Sequence, residues 1–258
     1  MTERHRLDRN RELWSVVNEQ FTDADAEEKW SAPEIGWGLF RAPESEFGLL
    51  GDVADARVVE LGCGTAYLSS WLVRAGARVV AVDLSRAQLE TARRCQQGFG
   101  LFFPLVEADA EAVPLRSGTV DVVVSEYGAS PWCDPARWVP EAARLLCPGG
   151  RLVFLTNSVL AGLCVPDESG FAGDRLLRSQ KDLAPIAWPG GGIEHHPSHG
   201  DWIRVLRSAG LVVDALQEMY AGAGAINHEY YDITTIDWAR KWPAEDVWIA
   251  HRPADRNA

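Results

Sequence analysis

A pair of glycines directly after an apolar run is the first feature of this sequence that could bind a ligand. Gly62 and Gly64 follow the run RVVEL (57–61), which contains Glu60. Glycines allow a tight turn and let the backbone approach a ligand closely. A carboxylate beside that turn repels a pyrophosphate and attracts an ammonium or sulfonium group. The pattern therefore favours a cationic nucleoside over a dinucleotide.

Two further acids follow the next two apolar runs. Asp83 ends the second run, and in nucleotide-binding folds an acid about twenty residues after the glycines binds the ribose hydroxyls. Asp109 ends the third run, where it can accept a hydrogen bond from an adenine amine. A turn or helix cap is the ordinary role of a single aspartate, but three acids after successive strands indicate one shared crevice.

A dinucleotide-binding oxidoreductase is the main alternative from these residues. The third small residue of a G-x-G-x-x-G fingerprint falls at position 67, and that residue is Tyr67. A tyrosine is too large for the close helix–strand packing that this position requires. We keep an NAD(P)-binding oxidoreductase as the alternative prediction.

The elements that must position these acids form an alternating pattern. From Arg57 onward, short β-branched runs alternate with helical patterns, which indicates βαβ units. One helix, 134–147, is expected to stop at Pro148-Gly149-Gly150. We predict an α/β fold with a Rossmann-like, doubly wound, mostly parallel seven-stranded sheet. The predicted strands are 57–61, 77–83, 103–109, 119–127, 151–157, 211–220 and 246–252.

The pattern also suggests how the chain is divided. Residues 1–50 look helical and are predicted to form a cap segment, whereas 51–258 would form one domain. That domain carries two long connections, 157–198 and 221–245, the second with His228 and Tyr230. Connections of this length in compact domains are usually functional.

Composition limits the partners and the location. The formal net charge of -12 opposes the phosphate backbone, so we expect no nucleic acid as a partner. Five cysteines without a CxxC pair indicate reduced thiols. We find neither a long apolar span nor a secretory leader, and we therefore expect a cytoplasmic protein without a membrane partner, as a monomer or homodimer.

The motifs together resemble a known family. The stretches VVELGCGTAYLSSWLVRAGARVVAVDLSRAQLETAR, EADAEAVPLRSGTVDVVVSEYG and LLCPGGRLVF are similar to class I S-adenosylmethionine-dependent methyltransferases of the small-molecule type. The resemblance covers roughly residues 55–156. It implies S-adenosyl-L-methionine as the cofactor and methyl transfer to O, S or N of a small metabolite, as in secondary-metabolite tailoring. A non-catalytic, cofactor-binding partner protein stays open as a further alternative.

The resemblance assigns one group of residues to the methionine end of the cofactor. Glu60, Gly62 and Gly64 would surround the methionine moiety, with Glu60 reaching its amino group directly or through water. Ser125 and Glu126, at the end of the fourth strand, would border the donor methyl.

A second group is assigned to the nucleoside. Asp83 would bind the ribose hydroxyls and Leu84 would pack on adenine. Gln88 would lie near both, while Asp109 and the backbone of Ala110 would take the adenine amine.

Catalytic groups must come mainly from the irregular segments. Histidine is the usual proton acceptor near neutral pH, and His195 and His196 stand in the cluster Glu194-His195-His196-Pro-Ser-His199. We expect no metal there, because Pro197 interrupts any helix that would set ligand spacing. His199 could equally begin the next helix. Tyr127, after the fourth strand, is a third candidate that could line the acceptor site or simply pack.

One tryptophan is predicted to cover the cofactor. Of the 11 tryptophans, eight lie outside 57–156, where aromatic lids commonly enclose apolar ligands. Trp37 stands between Gly36 and Gly38, and such glycines suit a segment that closes.

Overall fold

The structure is a computed structural model that describes residues 3–20, 23–168, 170–181, 183, 185–188, 191–225 and 233–254. His228 and Tyr230 lie outside these residues. The helices are α1 (Glu3–Gln20), α2 (Asp23–Ser31), α3 (Glu44–Phe47), α4 (Tyr67–Arg74), α5 (Arg86–Phe99), α6 (Ala129–Trp132), α7 (Pro135–Leu145), α8 (Val159–Cys164), α9 (His199–Ser208) and α10 (Ile236–Ala239). The strands are β1 (Gly36–Trp37), β2 (Ala42–Pro43), β3 (Arg57–Leu61), β4 (Arg78–Asp83), β5 (Leu105–Glu107), β6 (Val120–Glu126), β7 (Leu146–Asn157), β8 (Ile186–Ala187), β9 (Ile193–Glu194), β10 (Val212–Met219) and β11 (Glu245–His251).

Seven of these strands form one sheet in the order β10-β11-β7-β6-β3-β4-β5. The strand pairs β7–β6, β6–β3, β3–β4 and β4–β5 are parallel. Strand β11 is antiparallel to both of its neighbours, β10 and β7. The predicted α/β fold with a mostly parallel seven-stranded sheet is therefore confirmed.

The sheet is covered on both faces, which explains the unbroken apolar run of β6. Val123 packs in a cluster with Trp138 of α7 and Trp202 of α9. Its neighbours Val122 and Val124 belong to a second cluster, with side chains of α4 and of the segment before β3. Successive strand residues point to opposite faces, so a central strand between two helical layers needs apolar residues at every position.

The start of β7 differs from the prediction. The strand begins at Leu146, which pairs with Val120, so Pro148-Gly149-Gly150 lies inside β7 and not between a helix and a strand. A register shift between Val120 and Val122 accommodates this segment. Proline and glycine are tolerated in a strand where the ladder is irregular.

The first fifty residues include two helices that pack beside the sheet. α1 and α2 both contact α5, and Trp30 of α2 packs with Leu89 of α5 in a third core cluster. Whether residues 1–50 form a separate unit stays a prediction. Within the part of the chain that the structure describes, no helix has the length and apolar character needed to cross a membrane.

Candidate functional site

An open cavity of about 1150 Å³ lies at the carboxyl ends of the parallel strands. This edge is where open α/β sheets bind ligands. The cavity is lined by residues that follow β3, β4, β5 and β6, and by residues of α1, α2 and α6. Nine predicted cofactor-site residues and one predicted catalytic residue line it: Glu60, Gly62, Gly64, Asp83, Leu84, Gln88, Asp109, Ala110, Glu126 and Tyr127.

The glycine turn after β3 is built on a close backbone crossing. Gly62 has φ +73°, and a Cβ there would lie 2.4 Å from the Cα of Gly128. A Cβ on Gly128 would in turn lie 2.3 Å from the carbonyl oxygen of Leu61. Side chains at either position would separate the ends of β3 and β6, so both glycines are required for this crossing.

Asp83 holds the turn in place while it faces the cavity. Its Oδ2 accepts a hydrogen bond from the amide of Gly64 at 2.7 Å, and its Oδ1 accepts one from the amide of Ser85 at 2.7 Å. Burial raises the pKa of Asp83, and these backbone bonds partly oppose the increase. The carboxylate is therefore fixed and poorly solvated at the place where a ribose was predicted.

Glu60 is a buried carboxyl group at the bottom of the same cavity. It accepts hydrogen bonds from the amide of Ser69, at 3.0 Å, and from the hydroxyl of Ser69. Burial raises the pKa of Glu60 to about 8, and nearby Glu126 and Asp83 add to this increase. A cationic ligand would lower this pKa again, because its positive charge would stabilise the ionised form of Glu60.

Asp109 begins a turn after β5. Its Oδ1 accepts a hydrogen bond from the amide of Glu111 at 2.9 Å, and both Asp109 and Ala110 line the cavity. Asp109, Glu111 and Cys133 offer ligand atoms within 4.8 Å of one another. Glu111, however, is already paired with Arg6 and with Arg137. The prediction that the protein has no metal site stays a prediction.

Glu126 and Tyr127 stand at the end of β6, on the far side of the glycine turn. Glu126 accepts hydrogen bonds from the hydroxyl of Tyr67, at 2.7 Å, and from the amide of Gly38, at 3.1 Å. The hydroxyl of Tyr127 donates to Oδ1 of Asn157 at 3.0 Å. Burial raises the pKa of Tyr127 well above its usual value. Tyr127 should therefore stay protonated, which does not suit it to act as a base.

Two predicted cofactor contacts do not reach the cavity. Trp37 is fully buried in the core, and its Nε1 donates to Glu44 at 2.6 Å, so it packs under the β1–β2 hairpin instead of covering a ligand. Ser125 is also fully buried. Its hydroxyl donates to the carbonyl of Leu61 at 2.7 Å and accepts from the amide of Ala129 at 2.8 Å. Ser125 thus links two chain segments, and the expectation that it borders the donor methyl stays a prediction.

The two predicted catalytic histidines also lie outside the cavity lining. His195 donates its backbone amide to the carbonyl of Pro131 at 2.7 Å, and burial lowers the pKa of its ring to about 4. The Nε2 of His196 lies 3.1 Å from Oε2 of Glu194. Neither ring is part of the cavity lining, and the expectation that one of them is the general base stays a prediction. His199 is the first residue of α9, which Ser198 caps.

His196 is nevertheless connected to the cavity through buried side chains. Glu194, the partner of His196, accepts a hydrogen bond from Nδ2 of Asn157 at 3.3 Å. Oδ1 of Asn157 in turn accepts a hydrogen bond from the hydroxyl of Tyr127. This chain of contacts can fix the orientation of Tyr127.

The sequence analysis missed the part of the cavity that the N-terminal helices provide. Leu7, Asn10 and Trp14 line it from α1, and their i, i+3, i+7 spacing would have shown that they share one helix face. The other lining residues without a predicted role are Arg6, Asp25, Ala26, Lys29, Cys63, Thr65, Tyr67, Ala108, Gly128, Ala129, Trp132 and Cys133.

Comparison with known sequences gives one family match. The family described as "Methyltransferase domain" matches residues 59–154. An uncharacterised methyltransferase of Mycobacterium bovis is 42% identical over 106 residues, which are 41% of this chain and 41% of that protein. A demethylmenaquinone methyltransferase of Thermus thermophilus is 33% identical over 132 residues, or 50% of this chain and 54% of that protein. The matched region thus spans about half or less of these relatives.

Comparison with solved structures extends the likeness over most of the chain. An S-adenosylmethionine-dependent methyltransferase from Mesorhizobium loti aligns with a TM-score of 0.64 and 24% identity, covering 81% of this chain and 96% of that one. At this identity the alignment shows the shared fold. Together with the motifs of the sequence, the family match identifies residues 59–154 as a methyltransferase domain of the class I S-adenosylmethionine-dependent methyltransferases.

Proposed function

We propose that this protein binds S-adenosyl-L-methionine and transfers its methyl group to a small-molecule acceptor. The observation that carries the proposal is the convergence of Glu60, Asp83 and Asp109 on one cavity, around the turn of Gly62 and Gly64. Three carboxylates in a poorly solvated site favour a ligand with positive charge. A pyrophosphate in the same place would be repelled.

Each of these residues has a part in binding the cofactor. Both carboxylate oxygens of Asp83 accept a backbone hydrogen bond, and their remaining lone pairs accept hydrogen bonds from the ribose hydroxyls. Asp109 accepts a hydrogen bond from the adenine amine. Glu60 attracts the amino group of the methionine moiety. Leu84 and Gln88 line the cavity on the nucleoside side.

Methyl transfer is a displacement at carbon, and the protein has to supply little acid–base catalysis for it. The bound cofactor supplies an electrophilic methyl carbon on a positively charged sulfur. The chain's task is to hold an acceptor atom in line with that carbon and to exclude water. α1, α2 and α6 can do this, since Leu7, Trp14 and Trp132 give the cavity an apolar cover.

A small acceptor fits this enclosure better than a macromolecule. Residues of two N-terminal helices line part of the cavity, and Arg6 ties α1 to the carbonyl of Trp132 at 3.1 Å. A metabolite can occupy such a space completely. The acidic balance of the chain, with its net charge of -12, agrees with an acceptor that is not a nucleic acid.

Calorimetric titration tests this proposal directly. We expect S-adenosylhomocysteine and S-adenosylmethionine to bind and NADH not to bind. Asp83→Asn, which keeps one oxygen but removes the charge, should weaken cofactor binding by roughly 10- to 100-fold, or about 1.4 to 2.7 kcal/mol. The control is Asp55→Asn at an exposed residue, whose φ of 59° asparagine also adopts. Tight binding of NADH alone would refute the proposal and favour an oxidoreductase.

A further inference from the structure

Glu126 stands at the boundary between two cavities. It lines the main cavity at the end of β6, and it also lines a smaller cavity of about 610 Å³ beside the β1–β2 hairpin. Its charge acts on Glu60 in the main cavity and on Glu245 of β11. Among the described residues that line these two cavities, Glu126 is the acid that belongs to both. A ligand in the smaller cavity would therefore meet this carboxylate close to Glu60.

Glu126 is not among the acids that bind the cofactor. Three of the five acids that line the main cavity have that part, and the other two are Glu126 and Asp25 of α2. The charge of Asp25 acts on Lys29 in the same helix. In contrast to the predicted catalytic histidines, Glu126 is part of the cavity lining. It is thus the acid best placed to act on a second ligand.

Two hydrogen bonds fix the carboxylate of Glu126 and leave it able to accept another. Its Oε2 accepts from the hydroxyl of Tyr67 at 2.7 Å, and its Oε1 accepts from the amide of Gly38 at 3.1 Å. An ionised carboxylate has about four acceptor sites. Burial raises the pKa of Glu126, whereas its contacts with Tyr67, Lys29 and Gly38 lower it. A carboxylate that is desolvated in this way is a stronger base than one in water.

The smaller cavity has a lining in which positive and negative groups balance. Its two cations and two acids are Lys29, Arg41, Glu34 and Glu126. Such a lining favours no ligand charge of either sign. Tyr67 and Tyr127 also line this cavity, and aromatic side chains suit a flat ring. The lining therefore suits an uncharged aromatic ligand.

On the basis of the proposed function, we propose that the acceptor is an uncharged phenol held beside the β1–β2 hairpin, and that Glu126 accepts its hydroxyl proton during methyl transfer. The O–H bond breaks as the proton moves to Glu126, and an electron pair of the oxygen forms the new O–C bond. The C–S bond breaks, and its electron pair stays on sulfur. The charges of Glu126 and of the sulfonium disappear together, so charge is conserved. Because the acceptor enters uncharged, the acids of the main cavity do not repel it.

Phenol and anisole test this role of Glu126, because they share one ring and only phenol has a hydroxyl proton. Calorimetry measures the binding of each to the whole protein saturated with S-adenosylhomocysteine, from pH 5 to 9, where phenol itself stays mostly uncharged. We expect the wild type to bind phenol about five- to tenfold more tightly at high pH, because ionised Glu126 accepts a stronger hydrogen bond than its protonated form. The affinity for anisole should not change.

The comparison with anisole also accounts for the other groups near Glu126. The charged or titratable residues that interact with it are Lys29, Glu60, Tyr67, Tyr127 and Glu245. A change in their ionisation would alter the binding of both probes, whereas the proposed hydrogen bond affects phenol alone.

Three variants separate the role of Glu126 from a structural one. Glu126→Gln keeps an acceptor oxygen, so it should bind phenol equally at every pH. With S-adenosylmethionine and phenol, it should form anisole at least about 100-fold more slowly than the wild type. Tyr67→Phe removes a hydrogen bond that lowers the pKa of Glu126, so the increase in phenol affinity should move to higher pH. Glu34→Gln, at another acid of the smaller cavity, should behave like the wild type.

Benzoate and benzylammonium test the charge of the acceptor, and each should bind at least about tenfold more weakly than phenol. Tighter binding of either ion than of phenol would overturn the inference. The same pH response of phenol affinity in wild type and Glu126→Gln, or no anisole from the wild type, would do so as well. Failure of S-adenosylhomocysteine to bind at all would instead overturn the proposed function, and this inference with it.

Discussion

Individual carboxylates carry the chemistry of this site, and burial is what makes them selective. Glu60, Asp83 and Glu126 line one cavity, and burial raises the pKa of each. Ionising a buried carboxyl group costs free energy because the charge loses its hydration. A positively charged ligand offsets part of that cost. The same residues therefore reduce stability before binding and increase affinity during it.

Glu60→Gln separates these two effects. Burial raises the pKa of Glu60 to about 8 in the folded protein, whereas the unfolded chain should have the ordinary glutamate pKa of about 4.5. The wild type therefore loses stability as the pH rises from about 4.5 to about 8, because only the unfolded chain releases the proton in that range. Glutamine has no such loss. We expect Glu60→Gln to be more stable than wild type by roughly 1–3 kcal/mol above pH 8, and similar to it at pH 4.5.

Thermal unfolding at pH 4.5 and 8.5 measures this difference, and the same variant should bind S-adenosylmethionine about tenfold more weakly. Glu107→Gln, at an exposed residue of β5, is the matched control and should change neither property. A Glu60→Gln protein whose stability follows the wild type at both pH values would contradict the explanation.

At the residue scale, local position in the sequence was enough to predict which acids line the cavity. Asp83 and Asp109 follow strands, and parallel strands bring their carboxyl ends to one edge. Trp37 and His196 depend on long-range packing instead. Trp37 is oriented by its hydrogen bond to Glu44, and His196 by its contact with Glu194. Residue type and flanking glycines do not determine which way such a side chain points.

At the scale of elements, the site depends on the crossing between the turn after β3 and the segment after β6. Gly62 and Gly128 approach so closely that neither position has room for a Cβ. The glycine pattern predicted a tight turn at Gly62. It did not predict Gly128, because that requirement arises only when β6 lies beside β3.

Gly128→Ala tests this crossing. The new methyl would lie 2.3 Å from the carbonyl oxygen of Leu61 and 2.4 Å from that of Gly62, so the two ends must separate. We expect a loss of about 1–3 kcal/mol in unfolding free energy together with weaker cofactor binding. Denaturant unfolding and calorimetry measure both quantities.

Gly98→Ala is the matched control, since nothing lies within 4 Å of a Cβ at this position in α5. It should stabilise the protein by roughly 0.5–1 kcal/mol, because alanine favours the helix. Equal effects of the two substitutions would argue against the importance of the crossing.

The strand and helix pattern of the central region was predictable because its hydrophobic periodicity is regular. β7 is the exception, since Leu146 joins the sheet before Pro148-Gly149-Gly150. The pairing of Leu146 with Val120 is a tertiary contact, and it overrides the ordinary effect of proline and glycine as breakers. The role of α1 was also missed, because its apolar face is short and contains the polar Asn10.

At the scale of the whole molecule, the N-terminal helices add walls to the cavity at the edge of the sheet. Nδ2 of Asn10 donates a hydrogen bond to the carbonyl of Trp132 at 2.9 Å, and its Oδ1 accepts one from the amide of Ile193 at 2.8 Å. Arg6 adds its pair with Glu111. These polar contacts add to the packing of Trp14 on Trp132 and of α1 on α5.

Arg6→Met should loosen α1 without disturbing the sheet. The substitution leaves Glu111 with Arg137 as its partner, so we expect a local effect and not global unfolding. Amides of α1 should exchange with deuterium at least about tenfold faster than in the wild type, equivalent to about 1.4 kcal/mol. Amides of β3 and β6 should be unchanged.

Arg11→Met provides a control in the same helix, because Arg11 is half exposed and its ion pair among the described residues is with Asp8, at 3.5 Å. Exchange that accelerates equally in both variants would mean that the Arg6 contacts do not hold α1 in place.

The most direct test of the whole account is a crystal structure of this protein with S-adenosylhomocysteine. We expect the ribose hydroxyls to bind Asp83, the adenine amine to bind Asp109 and the amino group of the methionine moiety to lie near Glu60. A ligand bound elsewhere, or one in this cavity from which all three carboxylates point away, would contradict it.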